Sequence, residues 1–173
     1  GLMVQETNAL VGGHVQTLHD VLDVVQQYAV GDLSRDIARY PGEKAAMTHA
    51  VDTVKDNLGR INAEIKQLAG AAAAGDFSRR GDAQRFDHDF RTMLENLNAM
   101  MAVSDENLGK LSQLLSAIAE GDLTARMQGD YQGVFARMRD DANATVTQLT
   151  RIVGQIQASA SSITLAAGEI ASG

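Results

Sequence analysis

The chain lacks cysteine and tryptophan and has a single proline among its 173 residues. Without cysteine, the sequence excludes a disulfide framework and thiolate metal sites, which is compatible with the cytoplasm. Aromatic residues make up only 4% of the chain, and this disfavours one thick globular core, because such cores take much of their buried area from large rings. Abundant alanine, leucine, glutamine and valine favour an all-α chain of narrow helical bundles instead.

Long apolar runs and clusters of basic residues are missing as well. The net charge of −7 is spread along the chain and disfavours nucleic acid or an anionic membrane surface as a partner. No run approaches the roughly 18–20 apolar residues that cross a bilayer. The start, Gly1-Leu2-Met3, is not typical of a signal peptide. We therefore expect a cytoplasmic segment of a longer protein, whose parent is either soluble or anchored in the inner membrane.

Candidate catalytic and metal-binding patterns are equally scarce. The histidines are scattered over different parts of the sequence: His14, His19, His49 and His88. Apart from His14 and His19, which are five residues apart, no two of them are at metal-binding spacing on one helix face, and surface histidines are the better interpretation. The Gly-Asp dipeptides lack the glycine-rich run and the Lys-Ser/Thr of a phosphate loop. We predict no catalytic, metal, cofactor or small-molecule site in this segment, and no enzyme.

What the sequence does contain is a threefold repeat of Gly-Asp followed by a large apolar residue. The copies are Gly31-Asp32-Leu33, Gly75-Asp76-Phe77 and Gly121-Asp122-Leu123, and the glycines are 44 and 46 residues apart. Each copy follows an amphipathic helix and precedes a polar connector and a second helix. Taken singly, the glycine is an ordinary left-handed helix end. Repeated at a nearly fixed period, it indicates three similar helix–connector–helix units.

The connectors carry apolar residues that could fold back on the helices. Leu33 and Ile37 follow the first turn, and Leu123 and Met127 follow the third. Such anchors would let a connector run alongside two parallel helices. In the middle unit Phe77 is followed by the polar residues 78–81, so we expect a looser second connector.

Apolar residues recur at alternating spacings of three and four between the turns, and this pattern predicts heptad seams. One seam continues across the boundary between the first two units, so the second helix of one unit is also the first helix of the next. Gly59 and Gly70 weaken that helix, by about 1 kcal/mol each relative to alanine. The predicted seam residues are Val51, Val54, Leu58, Ile61, Ile65, Leu68, Met93, Leu97, Leu111, Leu115, Ile118, Met138, Leu149, Ile152, Ile156 and Ile163.

Two places interrupt this regularity. Near Ser104 the seam takes two consecutive steps of four, a stutter that locally unwinds a left-handed supercoil. We interpret this region as one continuous helix with a phase shift, although a break at Ser104 is the alternative. Near the start, Gly12-Gly13 is expected to break or begin a helix.

Phe86 is taken as the first residue of the second continuous seam.

Residues 118–127, IAEGDLTARM, resemble the end of the first helix and the connector start of the HAMP domain, a parallel, dimeric four-helix relay unit of bacterial receptors. The first unit resembles it well, and the second is divergent. None of the units has the Asp-Glu-aliphatic-Gly signature common at the start of the second HAMP helix. Residues 148–173 resemble the entry of the signalling coiled coil of methyl-accepting chemotaxis receptors.

The resemblance implies an all-α fold of elongated, parallel, dimeric HAMP four-helix bundles in series, which share continuous helices and end in a coiled coil. Unit 1 would span residues 14–58, unit 2 59–101 and unit 3 105–150, with the coiled coil from 151 to 173. It further implies signal relay in a homodimeric chemotaxis receptor that works with a coupling protein and a histidine kinase. Two alternatives are a coiled-coil spacer that does not switch and the HAMP relay of a sensor histidine kinase.

Overall fold

The protein folds into four long α-helices joined by three connectors. The structure, a computed structural model, describes residues 1–172, and no strand occurs in that part of the chain. The helices are α1 (Leu2–Ala29), α2 (Ala45–Ala73), α3 (His88–Ala119) and α4 (Gly133–Ser172). Short 3-10 helices, Gly42–Lys44 and Ala83–Arg85, precede α2 and α3. The all-α prediction is confirmed, while Gly173, the last residue of the predicted coiled coil, lies outside the described residues.

Helix ends coincide with the Gly-Asp turns. Gly31, Gly75 and Gly121 have φ of 86°, 80° and 88°, the left-handed conformation that glycine adopts without a steric penalty. At the third turn, the amide of Asp122 donates to the carbonyl of Ala117 at 2.9 Å. This backbone bond spans five residues and satisfies a carbonyl that the helix end would leave without a partner.

The expected break at Gly12-Gly13 is wrong, because α1 continues through both glycines. Glycine weakens a helix by about 1 kcal/mol relative to alanine but keeps its amide and carbonyl in the hydrogen-bond ladder. Two side chains also bond to the carbonyl of Gly13: the hydroxyl of Thr17 donates at 2.9 Å and the ammonium of Lys44 at 3.1 Å. The pair of glycines is therefore accommodated inside the helix.

The continuous interpretation at Ser104 is confirmed, since α3 runs without a break from His88 to Ala119. The predicted start of this helix is wrong by two residues. Phe86 lies outside α3 in extended backbone, with φ −127° and ψ 159°. His88 then has φ of +51°, which is incompatible with a helix extended backwards through it.

Three apolar clusters form the core, and each combines helix residues with connector residues. The first contains Val24, Tyr28, Ile37 and Val51. The second contains Ile61, Leu68, Phe86 and Leu94. The third contains Leu114, Met127, Tyr131 and Val146. Helix α2 therefore contributes to the first and second clusters, and α3 contributes to the second and third, as expected for helices that serve two units.

The chain divides into two compact parts. One comprises residues 1–74 with 80–97 and holds the first and second clusters. The other comprises residues 75–79 with the described residues from 98 onwards, and it holds the third cluster.

Candidate functional site: the connectors and the apolar seam

The aspartate of each Gly-Asp turn closes a short side-chain turn. The amide two residues further on donates to Oδ1 of Asp32 at 2.9 Å, of Asp76 at 3.1 Å and of Asp122 at 2.8 Å. The hydroxyls of Ser78 and Thr124 add a second bond of 2.6 Å at the latter two turns. These hydroxyl bonds, followed by the amide bonds, hold the pKa of Asp76 and Asp122 below the ordinary value of 3.8. The charged carboxylates thus stabilise the turns.

The first and third connectors place their apolar residues where the sequence predicts them. Leu33 and Leu123 are half-buried, and each packs against the core cluster of its own unit. Ile37 and Met127 are only 3% and 5% exposed and belong to these clusters themselves. These two connectors therefore insert a side chain beside the helices that they join.

The prediction of a looser second connector is wrong. Phe77 is half-buried and Gly81 is buried, and Phe86 is 4% exposed within the second cluster. The guanidinium of Arg60 lies 5.0 Å from the centre of the Phe86 ring and donates to the carbonyl of Arg85 at 2.6 Å. A connector can thus be anchored by backbone and by an aromatic residue further along, a possibility that a search for aliphatic anchors misses.

Polar side chains of the helices bind the connector backbone in the first unit. The hydroxyl of Tyr28 donates to the carbonyl of Arg35 at 2.8 Å. The hydroxyl of Thr48 donates to the carbonyl of Ala38 at 3.1 Å and accepts the amide of Tyr40 at 3.3 Å. The connector is therefore fixed to both α1 and α2 by hydrogen bonds to its main chain.

Two ion pairs also join the first connector to α2. The ammonium of Lys55 lies 2.6 Å from Asp36, and the guanidinium of Arg39 pairs with Asp52. The bond and charge of Lys55 lower the pKa of Asp36. Because one side chain of each pair is largely exposed, solvent screening leaves these pairs a weak contribution to the stability of the connector.

The third unit uses an amide to hold its connector. Asn143 on α4 accepts the amide of Met127 at 2.9 Å and donates to the carbonyl of the same residue at 3.0 Å. The hydroxyl of Thr150 donates to the carbonyl of Leu123 at 3.3 Å. Asn143 thus satisfies both backbone groups of the residue whose side chain enters the core.

The predicted seam residues fall into three groups by exposure. The buried group is Val51, Ile61 and Leu68. The half-buried group is Leu58, Ile65, Leu97, Leu111, Ile118, Met138 and Leu149. The exposed group, at 39–70%, is Val54, Met93, Leu115, Ile152, Ile156 and Ile163. Within one chain, then, a large part of the seam faces solvent.

Several core residues lie beside the predicted seam and were missed by it. Leu94 and Leu114, at most 4% exposed, lie next to the seam residues Met93 and Leu115. The fully buried Val146 lies between the seam residues Met138 and Leu149. On α3 the buried Leu94 and Met101 are seven residues apart, which is the heptad spacing of a second apolar stripe. A helix with two apolar stripes can pack against two neighbours at once. The second stripe was the signal available in the sequence.

No cluster of three or more metal-ligating side chains occurs within residues 1–172. None of the helices in the same range combines the length and the apolar character of a membrane span.

Family models match on both sides of the second turn. The model described as HAMP N-terminal domain 3 matches residues 18–59, and the model described as HAMP domain matches residues 85–151. Together with the helix–connector–helix geometry, these matches show that the chain belongs to the HAMP family. By family it is a signalling module and not an enzyme.

A curated relative narrows the class. The methyl-accepting chemotaxis protein McpB of Pseudomonas aeruginosa PAO1 is 43% identical over 107 residues. These residues are 62% of this chain but 16% of the relative, so the chain matches a small part of that protein's length. The chain is thus a HAMP segment of the chemoreceptor type.

Proposed function

We propose that this segment relays conformational signals from an upstream sensor to the kinase-control domain of a chemotaxis receptor. It does so as a parallel homodimer on the cytoplasmic side. Its three HAMP units span residues 14–58, 59–101 and 105–150, and the receptor coiled coil begins at residue 151. Both HAMP matches and the chemoreceptor relative support this assignment. In the parent receptor, the partners would be a coupling protein and a histidine kinase.

One observation carries the proposal: the helices have a buried apolar stripe and an exposed one. In the third unit Leu114 is 4% exposed, whereas its neighbour Leu115 is 56% exposed. On α4, Val146 is fully buried while Ile156 is 63% exposed. Two helices from one chain and two from a second copy would bury both stripes in a four-helix bundle.

Relay requires that the bundle pack in two ways of similar free energy. The connector anchors are suited to this, because Ile37 and Met127 enter the core clusters through side chains, and a side chain can occupy more than one rotamer. A change in helix packing must change the cavity that these side chains fill, and the anchors can respond by changing rotamer. The connectors thus couple helix position to bundle stability.

Substitution of an anchor separates a relay from a spacer. Met127→Ala removes a buried side chain, and the matched control Gln128→Ala changes an exposed neighbour in the same connector. We expect Met127→Ala to alter kinase output in the parent receptor at unchanged dimer content, while Gln128→Ala leaves the output at its normal level. Normal output from both variants would contradict the relay and favour the spacer.

A further inference from the structure

The three connectors have equivalent positions six residues after the turn glycine. These positions hold Ile37, Gly81 and Met127. All three residues are buried, yet the middle one has no side chain to bury. In the second unit, the connector backbone itself occupies the place that an apolar side chain fills in the other two.

The surroundings of Gly81 leave little room for even one carbon. A Cβ on Gly81 would lie 3.2 Å from Leu68 Cδ1, from Leu94 Cδ2 and from Glu64 Oε2. Its φ is outside the positive range, so the backbone conformation is open to other residues. Space therefore favours glycine here, because these side-chain ends would have to shift to admit a Cβ, whereas the backbone conformation does not require it.

Contacts further along hold this connector against the helices. The carbonyl of Gly81 accepts the amide of Ala83 at 3.0 Å. The guanidinium of Arg91 on α3 donates to the carbonyl of Phe86 at 2.8 Å. Together with the buried Phe86 ring, these bonds tie the main chain on both sides of the 3-10 helix Ala83–Arg85.

We propose that Gly81 is the positioning residue of the second connector, whose anchor in the core is backbone where the other two connectors use a side chain. A side-chain anchor can change rotamer when the helices move, but a backbone anchor can only move with the whole connector. This inference rests on the proposed relay function. In that relay, unit 2 would transmit helix movement with less internal adjustment than units 1 and 3.

Hydrogen exchange on the 173-residue chain tests the anchor directly. In Gly81→Ala and, more strongly, Gly81→Ile, we expect the amides of Ala83 and Phe86 to exchange faster, by about tenfold in the isoleucine variant, because local opening becomes easier. Amides of the first and third connectors should keep their rates. The control is Gly109→Ala on α3, where a Cβ meets no atom of the described residues within 4 Å.

Unchanged exchange in both Gly81 variants would overturn the proposal, and the alanine variant decides if the isoleucine variant does not fold. Faster exchange of all three connectors alike would also overturn it. Kinase output of the same variants in the parent receptor tests the relay separately. Faster exchange in the second connector with normal output would uphold the anchor while contradicting a signalling role for unit 2.

Discussion

At the scale of single residues, Gly121 and Gly109 differ only in backbone conformation. Beyond the adjoining backbone, a Cβ at either position would meet no atom of the described residues within 4 Å, but Gly121 has φ of +88° and Gly109 is helical. We expect Gly121→Ala to lower the free energy of unfolding by about 1–2 kcal/mol, because a side chain disfavours the left-handed region. Gly109→Ala should raise it by up to about 1 kcal/mol.

Urea unfolding measures both changes, and one fixed protein concentration keeps the concentration dependence of any self-association out of the comparison. Opposite signs for the same substitution are the distinguishing result. Destabilisation of similar size at both positions would show that the turn conformation of Gly121 is not responsible.

The carboxylate of Asp122 makes the third turn sensitive to acid. Bonds from the hydroxyl and amide of Thr124 lower its pKa from the ordinary value of 3.8. A pKa that is lower in the folded state stabilises the fold above the unfolded value, and this stabilisation is lost as the pH falls through the folded pKa. We therefore expect the Asp122 contribution to be complete above about pH 5 and to be lost gradually as the pH falls through 3.8 and then through the lower pKa of the folded state.

NMR titration of the Asp122 side-chain carbon checks this account. Thr124→Val removes the hydroxyl and keeps the backbone amide, so the pKa of Asp122 should rise towards 3.8 without reaching it. An identical titration curve in the variant would contradict the assigned cause.

At the scale of elements, the sequence predicts where helices run better than it predicts which segments pack against them. Heptad spacing is a local property of the chain, so the continuity of α2 and of α3 past Ser104 could be predicted. The packing of Gly81 against Leu68 and Leu94 depends on how closely two segments approach, and no local pattern encodes that distance. The predicted break at Gly12-Gly13 failed for the opposite reason, since a local preference was outweighed by the helix around it.

We expect the two hydrogen bonds of the Asn143 amide to be the main polar contacts that hold the third connector against α4. Asn143→Ala would leave the part-buried amide and carbonyl of Met127 without their partner. We expect a loss of about 1–3 kcal/mol in the free energy of unfolding. The control Asn96→Ala changes an exposed asparagine on α3, and should change stability by less than about 0.5 kcal/mol. Equal effects of the two substitutions would contradict this role.

The stutter in α3 is a property of the whole element. Deleting residues 104–107 removes one of the two consecutive steps of four and joins Met100 to Leu108 in an unbroken seam. We expect circular dichroism to show retained helicity, because α3 is already continuous here, and kinase output in the parent receptor to shift. Loss of folding of the third unit, seen as lost protection of its amides, would contradict the phase-shift account.

At the scale of the whole molecule, a single chain leaves the exposed apolar stripe without a partner surface that covers it. On α4, every residue from 151 to 171 is exposed. Among them, Ile156 and Ile163 are 63% and 70% exposed. A long helix with one narrow apolar stripe needs a partner to be stable in water. The seam itself could be predicted from the sequence. Its division into intrachain and exposed positions could not, because heptad spacing does not say which neighbour covers each stripe.

Disulfide formation across the seam tests the parallel homodimer most directly. The chain has no native cysteine, so Leu149→Cys, Ile156→Cys and Ile163→Cys can be compared with Gln155→Cys. Gln155 is also exposed to solvent and lies next to Ile156, but off the stripe. A parallel dimer brings each seam residue opposite its own copy, so the three seam variants should form covalent dimers about tenfold or more faster than Gln155→Cys under mild oxidation. Equal rates at all four positions would contradict the parallel coiled-coil arrangement on which the proposed relay depends.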